Sequence, residues 1–228
     1  ITIAGTVGVG KSTLTQTLAD KLNFRTSFEN VDHNPYLDKF YNDFERWSFH
    51  LQIYFLAERF KEQKRMFEYG GGFIQDRSIY EDVDIFAKMH EEQGTMSKED
   101  FKTYSELFEA MVMTPYFPKP DALIYLECDY NDVIQRIQRR GRQMEIETDE
   151  AYWKKLFSRY DNWINSFTEC PTIYISKYFS CSLLSFFFLW CSHYMHVTPF
   201  VVVPQFLDIL FCFFQSLFSL LFSFGSFY

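Results

Sequence analysis

The sequence predicts an α/β fold, a doubly wound five-stranded parallel sheet flanked by helices, and three observations predict it. A short apolar run, Ile1-Thr2-Ile3-Ala4, passes into a glycine-rich loop and then into Thr13 to Leu22 at helical spacing. Strand-like runs and helical patterns go on alternating as far as Ile175. One of those runs, Ala122 to Glu127, is almost continuously apolar, as expected of a strand buried on both faces.

The glycine-rich loop, Gly5-Thr6-Val7-Gly8-Val9-Gly10-Lys11-Ser12 followed by Thr13, fits G-x-x-x-x-G-K-[ST]. Between a strand and a helix, such a loop aims backbone N–H groups at phosphate oxygens. Lys11 is then placed for the β/γ-phosphates and the Ser12 hydroxyl for Mg²⁺. A chance glycine turn would not explain the strand before it and the helix after it.

The remaining elements follow in order. Phe24 to Glu29 alternates as a second strand and delivers Glu29 to the sheet edge where ligands sit. A carboxylate there serves equally well as a general base for an attacking hydroxyl or as a solvated strand end. Asn34-Pro35 marks a turn, and a long helix is expected from Glu45 to Glu68. Gln52 and Arg59 lie two turns apart on one face of it, and a Gln so placed can pair with a base edge. After Gly70-Gly71-Gly72, a third strand, Phe73 to Asp76, brings Asp76 to the same edge as Glu29. A helix from Ile79 carries Asp82, Asp84 and Phe86; another spans Ser97 to Met113, with Ser97 as its N-cap. The fourth strand is Ala122 to Glu127. Asn131 to Arg142 concentrates Arg136, Arg139, Arg140 and Arg142, a cluster suited to a specific anion. A helix from Asp149 to Phe167 and a fifth strand, Pro171 to Ile175, complete the sheet.

The 228 residues are enough for one substantial core, and a formal net charge of −8 argues against a general nucleic-acid binder. Five Cys without zinc or CxxC spacing suit a reduced, cytoplasmic protein. No secretory signal precedes the phosphate loop, and the start inside a strand without Met leads us to expect a few missing N-terminal residues.

In order along the chain, GTVGVGKS (5–12), FENVDHNPYL (28–37), ERWSFHLQIYFLAERF (45–60), QDRSIYED (75–82), MTPYFPKPD (113–121), LIYLE (123–127) and RIQRRGRQME (136–145) resemble the deoxynucleoside kinase family, a group of P-loop kinases. The resemblance is strongest to the bacillus-type deoxyadenosine/deoxycytidine kinases and covers residues 1–175. It implies ATP as phosphate donor with Mg²⁺, a deoxynucleoside as acceptor, a role in nucleotide salvage, and a homodimer. It further implies that Glu29 takes the proton of the 5′-hydroxyl, that Asp76 helps organise the metal, and that Arg77 orients the base and balances charge. Tyr41 and Glu145 match the pair that holds the 3′-hydroxyl. Gln52, Arg59 and Asp82 match the residues at the base edge, with Phe86 stacking on its face. Arg136, Arg140 and Arg142 match the lid arginines over the transferring phosphoryl group. The chain departs from the pattern at Asn30, where the family often has Pro, and at Asp76, where many members have Glu.

Past Ser176 the resemblance ends. From Lys177 to Tyr228 the only charged side chains are Lys177 and Asp208, which cancel, so the whole −8 lies on residues 1–176. We therefore expect a kinase domain over 1–176 and assign no domain to 177–228. The tail reads as translation of an altered frame, as a membrane anchor over Gln205 to Phe224, or as an aggregation-prone end. Asp208 inside the span and the lack of a basic flank weigh against the anchor. An active kinase with a deoxyadenosine, deoxycytidine or deoxyguanosine preference, a catalytically impaired nucleotide-binding remnant and a nucleoside monophosphate kinase all remain open on sequence.

Overall fold

The computed structural model describes residues 1–176 except 30, 32, 33 and 118, and the three readings of the tail lie outside the described residues. Five strands, β1 (Thr2–Ala4), β2 (Arg25–Ser27), β3 (Phe73–Asp76), β4 (Leu123–Glu127) and β5 (Thr172–Ser176), form one all-parallel sheet in the order β2-β3-β1-β4-β5. β1 is central: Thr2 is in register with Gln75 on one side and Leu123 on the other. Period-two alternation then sorts the side chains between two cores. Ile3, Ile74 and Ile124 face Leu18 and Ala19 of α1 (Lys11–Leu22), whereas Ala4, Leu123 and Tyr125 join Leu56, Leu156 and Tyr160 on the opposite face.

The second face is covered by α3 (Phe44–Tyr69), α6 (Lys98–Val112) and α9 (Glu150–Ser166). As expected, α6 is capped by Ser97, whose hydroxyl accepts from the Asp100 N–H, and α3 runs unbroken to Gly70. Between β2 and α3 lies α2 (Leu37–Asn42), and between β4 and α9 lie α7 (Tyr130–Arg140) and α8 (Gln143–Ile146). The single helix expected from Ile79 is three segments: α4 (Ile79–Glu81), a π-helical stretch (Asp82–Ala87) and α5 (Lys88–Glu92). Its i→i+5 bonding widens one turn, and from it both Asp82 and Phe86 reach the cavity described below.

All five strands point their C-terminal ends the same way. That edge gathers the loop after β1, Glu29 after β2, Asp76 and Arg77 at the end of β3, and α7 beyond β4.

Candidate active site

A cavity of about 380 Å³ opens at this edge, a size suited to a small molecule. One end is phosphate loop. Val7, Gly8, Gly10, Lys11, Ser12 and Thr13 line it, but Gly5, Thr6 and Val9 stand behind and act through their backbones. The Gly5 and Thr6 carbonyls accept from Lys11 Nζ, each at 2.9 Å; the Val9 carbonyl accepts from Arg136 Nη1 at 2.7 Å; and the Val9 N–H turns back to Thr6 O. Gly5, expected among the phosphate-binding residues, gives its N–H to Glu81 Oε1 at 3.2 Å. Two of the glycines are required sterically: a Cβ at Gly5 (φ +142°) would lie 2.8 Å from Leu126 O, and one at Gly8 (φ +80°) 3.1 Å from Ile137. Burial, with Arg77 nearby, pulls the Lys11 ammonium down to about 8.

Ser12 and Asp76 meet here. The serine hydroxyl donates to Asp76 Oδ2 at 2.5 Å, so a strand-end carboxylate and a loop hydroxyl put two hard oxygen ligands together beside the phosphate end. Among the described residues no cluster of three or more His, Cys, Asp or Glu is set to hold a metal. Such a sparse oxygen set suits Mg²⁺, which uses one or two carboxylates and completes its shell with water and substrate phosphate.

In the middle of the cavity, Glu29 accepts from Arg59 Nη2 at 2.9 Å, with Arg77 Nε at 3.4 Å from the same oxygen. Arg59 also donates through Nε to Asp82 at 3.0 Å and through Nη1 to the Asp76 carbonyl at 2.9 Å. Burial alone would lower its pKa, but Asp82 and Glu29 more than offset that and hold it above its ordinary value. Arg77 has φ +69°, donates its N–H to Ile3 O, and lays its guanidinium 4.6 Å from the centre of the Phe86 ring.

The far end is aromatic and aliphatic, with Phe28, Leu51, Phe55 and Phe86 around Gln52. Gln52 is 2 % exposed, and its Oε1 has no hydrogen-bond partner among the described residues. Tyr41 and Glu145 also line the cavity. Burial, then Tyr152 and Glu145, raises the Tyr41 phenol well above its ordinary value. Arg140 makes two contacts to Glu145, through Nε at 3.1 Å and Nη2 at 2.5 Å, and Arg142 stands 3.4 Å from the other carboxylate oxygen.

Asp84 accepts from Trp163 Nε1 at 3.0 Å, away from the cavity, and Arg139 does not line it. The candidate site residues converge on this edge, with two qualifications of geometry. Arg59 is behind the cavity wall, held by three elements, and the grouping of Gln52, Arg59 and Asp82 around one base edge reduces to Gln52 and Asp82 as cavity-lining side chains. Glu145 is shared between Tyr41's wall and the arginines after α7. Sequence reasoning missed Glu81 and Tyr160, which lie behind the loop. The first left a signal, since Ser78-x-x-Glu81 is the spacing of a capping box, and both halves of that box are formed. Tyr160 left none.

Comparison with known proteins agrees with this geometry. The family model for deoxynucleoside kinases matches residues 1–182. The chain is 70% identical over 173 residues to the deoxyadenosine/deoxycytidine kinase of Bacillus subtilis (strain 168), spanning 76% of this chain and 80% of that one. It is 36% identical over 177 residues to the deoxyadenosine kinase of Dictyostelium discoideum, spanning 77% and 71% of the two chains. A structure of the M. mycoides deoxyadenosine kinase with the products dCMP and a flexible dCDP superposes with TM-score 0.70 at 28% identity, covering 84% of this chain and 97% of that one.

Proposed function

This chain belongs to the deoxynucleoside kinase family and is a phosphotransferase, and on that premise we propose that it moves the γ-phosphoryl group of ATP to the 5′-hydroxyl of deoxyadenosine or deoxycytidine. The family match sets aside the nucleoside monophosphate kinase reading. One observation carries the substrate class: the phosphate loop, Glu29 and Gln52, whose Oε1 is buried and unpartnered among the described residues, belong to the lining of a single cavity.

Each end of the cavity suits one reactant. Lys11 and the first-turn N–H groups of α1 meet the triphosphate, and Arg136 lies over the loop through Val9 O. Ser12 and Asp76 would hold Mg²⁺, which when bound neutralises charge on the β- and γ-phosphates. Glu29 is the base for the acceptor hydroxyl, oriented by two guanidinium groups; this transfer rests on placement and charge more than on covalent chemistry. Arg140 and Arg142, on the lid side, hold Glu145, which with Tyr41 bears on the 3′-hydroxyl.

At the base, Gln52 Oε1 is a buried acceptor that calls for a donor. Adenine and cytosine both present an exocyclic amine beside a ring nitrogen acceptor, matching both ends of the amide. Thymine offers an oxygen and an N–H instead, which the amide meets only after a flip, so Gln52 is a moderate discriminator. That an enzyme named for deoxyadenosine carries the product dCMP supports one pocket serving both amino bases.

The exposed Phe67 on α3 and the exposed Leu107 and Met113 on and after α6 support a homodimer, which sedimentation checks. Among the described residues no helix is long and apolar enough to cross a membrane.

The test is kcat/KM for the four deoxynucleosides with ATP, run beside a nucleoside-binding titration. Deoxyadenosine and deoxycytidine should exceed thymidine by roughly 5- to 150-fold, the cost of ~1–3 kcal/mol for one unmatched buried polar group. A ranking led by thymidine or deoxyguanosine would overturn the base assignment, and binding without turnover would mark an impaired remnant.

A further inference from the structure

Glu81 has a side chain with no solvent exposure, and it takes part in neither half of the proposed reaction. Its two oxygens are used differently. Oε2 accepts from the N–H and the hydroxyl of Ser78, at 2.8 and 3.2 Å, which is the local bonding of a helix cap. Oε1 accepts from the Gly5 N–H at 3.2 Å and the Tyr160 hydroxyl at 3.0 Å, reaching β1's loop and α9. The Tyr160 oxygen in turn accepts from Arg77 Nη1 at 2.6 Å, and the same Nη1 stands 3.7 Å from Glu81 Oε1 itself. A buried chain therefore runs from the first residue of the phosphate loop through Glu81 and Tyr160 to Arg77.

A helix cap needs only the Oε2 side. The Oε1 side is tied to groups that the proposed function uses: Gly5 holds Lys11 through its carbonyl, and Arg77 stands 3.4 Å from Glu29. Arg77 also keeps a positive φ, which a non-glycine residue adopts only where its surroundings enforce it. A carboxylate is acceptor-only with about four lone-pair sites, and here four donors fill them, from Gly5, Tyr160 and twice from Ser78. An amide in its place would turn an NH₂ toward an N–H or O–H.

We propose that Glu81 is a positioning residue for phosphoryl transfer, setting the start of the phosphate loop through Gly5 and the aim of Arg77 through Tyr160. The inference rests on the roles given above to Lys11 and Arg77. Small displacements in a transfer site are costly in rate, so a buried group that fixes both reactant ends acts on kcat and on donor affinity together.

Four variants of the full chain test it, each measured for Tm, kcat and both KM values. Ser78→Ala removes the cap hydroxyl alone, and should lower Tm while kcat and both KM values stay within about twofold. Glu81→Gln should lower kcat roughly 10- to 100-fold and raise the KM for ATP several-fold, by misplacing the loop. Tyr160→Phe keeps the Gly5 contact, and should lower kcat about 3- to 30-fold with the KM for ATP unchanged. In the double variant the two losses should not multiply, because the connection is already cut.

If Glu81→Gln and Tyr160→Phe behave as Ser78→Ala does, losing Tm but not kcat, Glu81 is a structural cap and the inference is overturned. Should Glu81→Gln not fold, Tyr160→Phe decides alone, since it deletes one oxygen: unchanged kcat overturns the proposal. Lys11→Ala and Arg77→Lys separate the two levels. If they too leave transfer intact, the proposed function fails; if they abolish it while the Tyr160 and Glu81 variants do not, only the present inference fails.

Discussion

Lys11 and Arg59 are both buried cations beside one cavity, yet they are held in opposite ways. Lys11 is gripped by carbonyls five and six residues before it in its own loop, Thr6 and Gly5. Arg59 is gripped by Glu29, Asp82 and the carbonyl of Asp76, which come from after β2, from the π-helical stretch and from the end of β3. The phosphate end is thus a local, backbone-built device, whereas the acceptor end is an assembly of side chains from distant elements. The Lys11 clamp is made of carbonyls alone, so changes at Arg59 or Asp82 should leave it in place, whereas the ion pairs shared by Arg59 tie Glu29 to Asp82.

The comparison breaks first at Glu29. Glu29→Gln preserves size and most hydrogen bonding, so nucleoside affinity should hold while turnover falls by the ~10²–10⁴-fold expected of a lost general base. Calorimetric titration beside a coupled ADP assay reads both. Near-normal turnover would remove Glu29 from the mechanism. At the phosphate end, Lys11→Ala should weaken triphosphate binding and slow transfer together, by ~10²–10³-fold in rate, because its charge acts before and during transfer. Unchanged donor affinity and rate would defeat the phosphate-loop assignment.

Arg59 sharpens the contrast. As a base reader, it should change the ranking of the four deoxynucleosides when replaced; as the clamp of Glu29 that its contacts describe, Arg59→Gln should lower kcat alike for all four, by roughly 10- to 100-fold. Removing Asp82 does not strand Arg59, since Glu29 and the Asp76 carbonyl still hold it. Gln52→Leu is the counterpart: it should compress the preference for amino bases over thymidine, by roughly 5- to 150-fold, with little effect on the kcat for thymidine. Measured kcat/KM ratios in the two variants separate ranking from rate, and equal effects on ranking would merge roles that the geometry keeps apart.

What the sequence disclosed follows the same division. The phosphate loop, the sheet and the Ser97 cap were legible because each is set by neighbours in the chain: a glycine spacing, a period of two, a serine three residues before an aspartate. Glu29 and Asp76 could be placed at the ligand edge by counting strands, though not given a role without the family resemblance. The π-helical stretch was not legible, since Asp82 to Ala87 reads as ordinary helix, and α3 and α9, against which it packs, lie elsewhere in the sequence. Tyr160 lies 83 residues from Arg77, and no local pattern announces that pairing.

The smallest expected effect is in pH, and it isolates the phosphate end. Lys11 is protonated at neutral pH, with its pKa brought down from 10.5 to about 8 by burial and then by Arg77. Since kcat/KM reports groups of the free enzyme, the value measured for ATP should be halved near pH 8 and then fall about tenfold per unit as the ammonium is lost. Stability should move the other way. In the unfolded chain Lys11 keeps its proton to a higher pH, so between about 8 and 10.5 the unfolded state binds more protons, and this group's contribution to folding stability rises with pH through that window. Activity lost while Tm holds would therefore separate titration of Lys11 from alkaline unfolding. Lys11→Arg supplies the control: a guanidinium stays charged throughout, so the limb near pH 8 should vanish even if the rate is lower overall. A limb that stays near 8 in that variant would assign the titration to another group and leave the local clamp of Gly5 and Thr6 as packing alone.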